Sequence, residues 1–232
     1  YEGGVKGPDH KDTANFPTEI MPVPELVTLP MSQHIGEPCE PCVKKGDEVF
    51  VGTLIGKAPV SLSMNIYSSV SGKVEKISDE LHNNGKNVTM ITIKADGLQT
   101  PDPNITPPEV SDLESFIAAI GHSGIVGLGG AGFPTDVKML PKNLSEIDTI
   151  IINGAECEPY LTTDNREMLE HPNEILFGVH SALKYLGIPK ARICIEDNKA
   201  AAIDVMKRMT ADDDTVDICV LESRYPQGAQ NI

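Results

Sequence analysis

The hydrophobic pattern of the chain changes character about a third of the way along. Residues 1 to about 30 are rich in Pro and Gly and show no period, which predicts an extended arm. From 31 to about 100 the apolar residues come in short runs. Examples are Glu48-Val49-Phe50-Val51, Lys73-Val74-Glu75-Lys76-Ile77 and Val88-Thr89-Met90-Ile91-Thr92-Ile93. Glycines at 46, 52, 56, 72, 85 and 97 punctuate these runs, and the region reads as all-β. Thr100 to Pro108, with four prolines, reads as a linker, with 101–108 as its span. Beyond it the runs lengthen. Val110 to Ile120 predicts a helix, with Ser111 and Glu114 spaced as a capping box. Thr149-Ile150-Ile151-Ile152 predicts a buried strand, and Glu167 to Leu186 predicts helix with a break at Pro172. Arg192-Ile193-Cys194-Ile195 and Thr215 to Leu221 predict strands, with Lys199 to Met209 a helix between them. Strands alternating with helices imply a parallel sheet.

Composition narrows the picture. With 34 Asp and Glu against 19 Lys and Arg, the net charge is -15. Such a surface repels nucleic acid and anionic lipid, so neither is expected as a direct partner. No apolar stretch is long enough to span a bilayer. Five cysteines at irregular spacings argue against a disulfide framework and fit a reducing compartment. Trp is absent and aromatic content is 4%, so the core is expected to be aliphatic. The chain opens at Tyr1 and closes at Ile232 without a recognisable start or stop, and reads as a fragment of something longer.

Two segments carry candidate chemistry. Gly127-Leu128-Gly129-Gly130-Ala131-Gly132-Phe133-Pro134 places four glycines within six residues and is followed by Lys138. Glycines let backbone N–H groups approach an anion, and Lys138 adds a charge, so the loop suits a phosphate. Gly127, Gly129 and Gly132 formally satisfy the G-x-G-x-x-G dinucleotide pattern. The preceding Gly124-Ile125-Val126 is short for a central strand, and Pro141 limits the helix that Pro134 opens to about two turns. The ordinary dinucleotide reading is therefore disfavoured. The second segment, Asn153-Gly154-Ala155-Glu156-Cys157-Glu158, falls at the carboxyl end of a predicted parallel strand, where ligands of open α/β sheets bind. Asn153 both donates and accepts, as a flavin edge requires, and Glu156 and Glu158 can accept from sugar hydroxyls. The same carboxylates could hold Mg²⁺, serve as an acid/base pair, or form a solvated acidic turn.

Taken together, the segments resemble the flavin-binding domain of the complex I flavoprotein subunit, and more closely the C subunits of Rnf electron-transport complexes. Ser32-Gln33-His34-Ile35-Gly36, Glu156 to Asp164 and Tyr225-Pro226-Gln227-Gly228-Ala229 are marks of the Rnf-type branch. Leu128 and Ala155 stand where complex I has Arg and Asp. The resemblance implies an α/β fold: a Rossmann-like FMN-binding domain with a parallel sheet over 109–232, truncated at its end, preceded by a small all-β barrel-sandwich-hybrid domain over 31–100. It implies that Gly127, Gly129, Gly130, Gly132 and Lys138 hold the FMN phosphate and ribityl arm. Asn153 and Glu156 would orient the flavin, and Phe133 and Glu158 would face NADH. No residue is expected to act as a general acid or base, and no metal site is expected.

The implied function is NADH-linked electron transfer in a ferredoxin:NAD oxidoreductase. Implied partners are other Rnf-type subunits and ferredoxin-linked carriers, on the cytoplasmic side of the cell membrane and without a span of its own. The 4Fe–4S clusters of such proteins are expected outside this fragment, since it has no C-x-x-C-x-x-C-x-x-x-C-P run. Two alternatives stay open: a paralogue serving a soluble cobalamin or amino-acid reductase, and a non-catalytic docking subunit with a vestigial flavin pocket.

Several other residues have plainer readings. Gly46 to Gly52 and Val70 to Val74 resemble a biotinyl/lipoyl-type domain, but no lysine lies between Lys57 and Lys73 to carry a prosthetic group. Cys39-Glu40-Pro41-Cys42 is one pair without the further ligands that zinc requires. Cys157 reads as a small position beside the flavin. Cys194 and Cys219, on predicted buried strands, read as core. His34 and His122 read as structural, His34 bracing a turn.

Overall fold

The computed structural model describes residues 4–60, 62–82 and 85–228. Ala229, the last residue of the Tyr225 motif, lies outside them. The chain forms two compact units, Met21–Lys142, and Asn143–Ile232 together with Tyr1–Ile20.

The Met21–Lys142 unit runs through β1 (Leu26–Pro30), β2 (Glu40–Pro41), β3 (Glu48–Val49), β4 (Leu54–Lys57), β5 (Ile66–Tyr67), β6 (Gly72–Leu81), β7 (Asn87–Ala95), α1 (Leu113–Ser123) and α2 (Thr135–Lys138). One antiparallel sheet is ordered β1-β7-β6-β3, and a second β2-β4-β5. Both sheets send side chains into one core of Met31, Val49, Ile55, Ile66, Ile91 and Ile93. Each such buried aliphatic side chain contributes about 1.5–3 kcal/mol. Cys39 joins this core and its Sγ donates to Met64 O at 2.9 Å, whereas Cys42 is exposed. The arm expected to be aperiodic contains β1, whose five residues pair with Met90 to Lys94 of β7. Pro30 at its end hid it from propensity.

The cap of α1 falls one residue later than Ser111 and Glu114 predict. Asp112 Oδ1 accepts from Ser115 N–H at 2.8 Å, and the Ser115 hydroxyl accepts from Asp112 N–H at 3.1 Å. Both pairs have the i, i+3 spacing, and here the Asp112 carboxylate takes the cap position with Ser115 reciprocating. Gly124, at φ 76°, ends the helix in the left-handed conformation.

The other unit runs through β8 (Thr149–Gly154), α3 (Thr163–Glu170), α4 (Pro172–Leu186), β9 (Lys190–Glu196), α5 (Ala200–Met209) and β10 (Val216–Leu221). Its sheet is parallel and ordered β10-β9-β8, with Ile152, Ile193 and Ile218 in register. Pro172 breaks the helical stretch as predicted: it opens α4 at a position whose N–H needs no partner. Leu176, Val179 and Leu183 of α4 and Ala202, Ile203 and Met206 of α5 share a core with Ala191, Ile193 and Ile195 of β9. Successive strand residues face opposite sides, so Cys194 points away from the Ile193 and Ile195 core. Cys194 and Cys219 are register partners and half-buried, not the fully buried core residues expected. Burial together with the neighbouring Cys219 thiol pushes the Cys194 thiol up from its ordinary value. Among the described residues no helix is long and apolar enough to cross a membrane.

Candidate functional site

The carboxyl end of β8 is held by the Asn153 side-chain amide and by close backbone packing at Gly228. Asn153 Oδ1 accepts from Ala155 N–H at 3.1 Å, and Asn153 Nδ2 donates to Gly228 O at 2.9 Å. A Cβ on Gly228 would lie 2.7 Å from Ala155 O, closer than side chains tolerate, so glycine is required where the Tyr225–Gly228 turn meets the strand end. The Asn153 amide retains one N–H and one lone pair beyond these bonds.

Beneath the strand end lies a buried ionic cluster. Glu156 is 3% exposed. Its Oε1 accepts from Asp164 N–H at 2.8 Å, and its Oε2 is flanked by Lys11 Nζ at 3.9 Å and Lys199 Nζ at 4.0 Å. Lys199 in turn pairs with Glu196 Oε2 at 3.0 Å and donates to Asn198 Oδ1 at 2.9 Å. Burial pushes the Glu156 carboxyl up from its ordinary value, opposed by the Asp164 N–H and the Lys11 charge. Burial, and then the Lys199 charge, pulls the Lys11 ammonium down. Two cations and two anions balance here, the condition under which charges survive desolvation.

Above the cluster a cavity of about 570 Å³ opens at the carboxyl ends of the three parallel strands, lined among others by Cys157, Glu158, Asn198 and Arg224. Pro8 and Asp9 of the N-terminal arm form part of its wall. The arm is tied in by Val5 pairing with Tyr225, by Asn198 Nδ2 donating to Asp9 Oδ2 at 2.9 Å, and by stacking of His10 on Tyr160 at 4.8 Å between ring centres. His10 at φ 50° and Tyr160 at φ 71° both hold left-handed backbone. Each such residue costs about 1–3 kcal/mol, offset by the packing around it. Two buried atoms lining the cavity, Glu196 Oε1 and Ser223 Oγ, have no hydrogen-bond partner among the described residues.

The glycine loop belongs to the Met21–Lys142 unit. Gly127 N–H donates to Phe133 O at 2.8 Å, closing the loop at its base. The helix behind it is the single turn of α2, shorter than the two turns expected, with Pro134 before its first residue. A Cβ on Gly132, at φ 61°, would come within 2.9 Å of Gln33 O and His34 Cα. The Ser32–Gly36 segment is thus the floor of the loop, and Ile35 N–H donates to Gly132 O at 3.2 Å. His34 braces that floor by accepting from Met64 N–H at 3.1 Å on its Nε2. At the apex, a Cβ on Gly129 or Gly130 would meet nothing within 4 Å. Lys138 Nζ lies 3.4 Å from the place a Gly127 Cβ would occupy, and Phe133 is half-buried. His122 is exposed, and its carbonyl accepts from the Tyr67 hydroxyl.

Of the predicted residues, Asn153, Glu156 and Glu158 gather at the strand end, with Glu158 on the cavity and Glu156 turned into the ionic cluster. Gly127, Gly129, Gly130, Gly132, Phe133 and Lys138 form one loop. Lys11, Asp9, Glu196, Asn198, Lys199 and Ser223 were missed. Lys11 and Asp9 have partners far along the chain, and the short-range Glu196, Asn198 and Lys199 contacts carry no motif that marks them. Among the described residues no group of three or more His, Cys, Asp or Glu side chains is placed to hold a metal ion.

One unit holds antiparallel sheets around a common core and the other a parallel sheet whose strand ends frame a cavity, which defines a chain of two domains, one all-β and one α/β. Residues 1–98 match the RnfC barrel sandwich hybrid domain, and residues 120–232 match the Nuo51 FMN-binding domain. The chain belongs to the RnfC family, the C subunits of Rnf-type complexes. It is 40% identical over 234 residues to the C subunit of the Na(+)-translocating ferredoxin:NAD(+) oxidoreductase complex of Acetobacterium woodii, covering 99% of this chain and 53% of that protein. It is 43% identical over 237 residues to the C subunit of the proton-translocating ferredoxin:NAD(+) oxidoreductase complex of Clostridium ljungdahlii, covering 100% and 51%. Identity to the C subunit of the ion-translocating oxidoreductase complex of Rhodobacter capsulatus is 41% over 234 residues, covering 98% and 45%. The chain thus spans about half the length of these relatives.

Proposed function

We propose that this chain binds FMN and carries NADH-linked electron transfer within a membrane-associated Rnf-type ferredoxin:NAD oxidoreductase. The observation that carries the reading is the cavity of about 570 Å³ at the carboxyl ends of a parallel sheet, in a segment that matches an FMN-binding family. Pockets for cofactors fall in this size range, and open α/β sheets bind ligands at this end. On this reading the sheet and its helices are a Rossmann-like domain.

The residues fit the group. Ser223 Oγ and Glu196 Oε1, buried without hydrogen-bond partners among the described residues, offer a hydroxyl and a carboxylate oxygen to sugar or ribityl hydroxyls. The glycine loop of the other unit is considered by itself: its open apex at Gly129 and Gly130 suits a phosphate, and Lys138 supplies a cation beside Gly127. Gly127 and Gly132 keep the loop closed and seated. Asn153 has hydrogen-bonding capacity left for a flavin edge. Glu156 keeps the strand end in place through its ionic cluster. Glu158, lining the cavity, and Phe133, a flat ring, are assigned to the nicotinamide nucleotide.

When bound, FMN supplies a ring that takes up two electrons and passes them on singly; the protein contributes binding, orientation and electrostatics. None of the assigned residues is required to move a proton. Iron–sulfur clusters are assigned to parts of the complex outside the length matched here. Other Rnf-type subunits hold the chain at the cytoplasmic face of the membrane, and ferredoxin-linked carriers exchange electrons with the complex.

Titrating FMN into the 232-residue chain and into a full-length protein tests the binding step by quenching of flavin fluorescence. Saturable one-to-one quenching with an upward shift in melting temperature is expected. Absence of both in the full-length protein overturns the reading.

A further inference from the structure

Among the ties that fasten the arm walling the cavity, Lys11 makes three converging hydrogen bonds. Lys11 Nζ lies 2.7 Å from Glu156 O, 2.9 Å from Glu158 O and 2.6 Å from Leu161 O. An ammonium has three N–H donors, and three converging main-chain carbonyls use all of them. These carbonyls belong to the irregular segment between β8 and α3, which has no ladder of its own to fix it. That segment carries Cys157 and Glu158 to the cavity wall. Lys11 is 11% exposed, so its contact is enclosed.

The neighbours of Lys11 on the arm hold the same segment and the start of α3. Tyr160 N–H donates to Asp9 O at 3.0 Å, and the His10 ring stacks on Tyr160. The Thr13 and Thr162 hydroxyls meet at 2.7 Å, and Asn165 Nδ2 donates to Ala14 O at 3.2 Å. A chain-terminal arm is ordinarily loosely held unless tied down, and here these ties end on or beside the segment that bears the acidic site residues.

We propose that Lys11 is a positioning residue of the nucleotide site: by binding the carbonyls of Glu156, Glu158 and Leu161 it fixes the loop that presents Glu158 to the cavity. The N-terminal arm is thereby part of the site. The inference rests on the reading that the cavity takes FMN or NADH. Chemistry selects lysine at this position. A guanidinium spreads five donors in a planar fork and cannot reproduce three donors converging from one atom, so arginine does not substitute.

The test uses the full-length protein with the K11M, K11R and H10A variants. FMN affinity is read by fluorescence quenching, and the half-saturating NADH concentration by reduction of the FMN-loaded protein. Amide hydrogen exchange is followed over residues 155–162 and over β9. K11M and K11R are expected to weaken FMN or NADH binding about tenfold and to speed exchange at 155–162, with exchange in β9 at the wild-type rate. The limiting rate at saturating NADH is expected to stay within about twofold. H10A removes an exposed ring and no buried charge, so it keeps the test open should the Lys11 variants fail to fold. It is expected to weaken binding two- to fivefold. If wild type binds neither FMN nor NADH, the reading of the cavity fails. If wild type binds and H10A, or a folded K11M, binds equally well, the positioning role alone is refuted.

Discussion

Lys199 and Glu196, one turn apart at the carboxyl end of β9, form an ion pair of 3.0 Å with side chains only 3% and 1% exposed. The same ammonium lies 4.0 Å from Glu156 Oε2 and donates to Glu156 O at 3.2 Å, so one residue joins two strand ends. The pair is a structural keystone beneath the cavity, with no solvent to compensate either charge if the other is removed.

Replacing Lys199 by Met leaves Glu196 buried without its cation. Removal of one partner from a buried pair costs about 3–5 kcal/mol. Urea unfolding should show stability falling by that amount through a lower midpoint, with little change in slope, provided that the native state stays compact.

The glycine loop separates structural from binding roles. Gly132→Ala meets Gln33 O and His34 Cα at 2.9 Å on a left-handed backbone, and is expected to lower the melting temperature. Gly129→Ala meets nothing within 4 Å, so its stability should stay within about 0.5 kcal/mol of wild type. If the apex receives a phosphate, Gly129→Ala nevertheless weakens FMN binding. Equal affinity in Gly129→Ala and wild type would remove the apex from the site.

Ser223→Ala deletes a buried hydroxyl that has no partner among the described residues. Such a deletion does not destabilise the fold, because no hydrogen bond is lost. Loss of a hydrogen bond to ligand is worth about 0.5–1.5 kcal/mol, so FMN or NADH binding should weaken by a few-fold to about tenfold. Isothermal titration alongside a thermal melt reads both effects.

Acid stability depends on Glu170. Its hydrogen bonds from Arg166, and then from Thr18 N–H, hold its carboxyl down to about 2, against an ordinary 4.5. A carboxyl depressed in the folded state contributes stability that is present above the unfolded value and lost as the pH falls through the folded one. Stability should therefore decline between about pH 4.5 and about 2, and Glu170→Gln should flatten that part of the curve. Chemical denaturation at stepped pH measures it.

Much of the fold was legible because it is local. Ile193 to Ile195 announced the central strand β9, Pro172 divided α3 from α4, and the β-rich runs before Gly97 became β6 and β7. Thr149 to Ile152 is a strand, but β8 lies at the edge of the described sheet with Ile151 exposed, and is not the buried strand expected. The candidate segments were legible too, since glycine clustering and an acidic strand end are sequence-local. The failures have different physical causes: strand pairing, the alternation of strand faces, and side chains that act over long distances along the chain. β1 was hidden by the prolines around it and is defined by its pairing with β7. Cys194 and Cys219 were placed in the core from strand propensity, but alternation turns them to the opposite face. Lys11 reaches Glu156 across 145 residues, and nothing in its own neighbourhood marks it. The Thr100–Pro108 stretch falls between the two family matches, 1–98 and 120–232, while the glycine loop sits on the Gln33–Ile35 backbone and α1 lies with the β-sheets in one compact unit.

On the reading proposed above, the chain binds an FMN that accepts electrons from NADH. Its most direct test is anaerobic addition of NADH to the FMN-loaded full-length protein while the visible flavin band is recorded. The band is expected to bleach with saturable dependence on NADH, and Gly129→Ala and Lys11→Met are both expected to need more ligand to reach the same endpoint. A protein that retains FMN but shows no bleaching at any NADH concentration would contradict this reading.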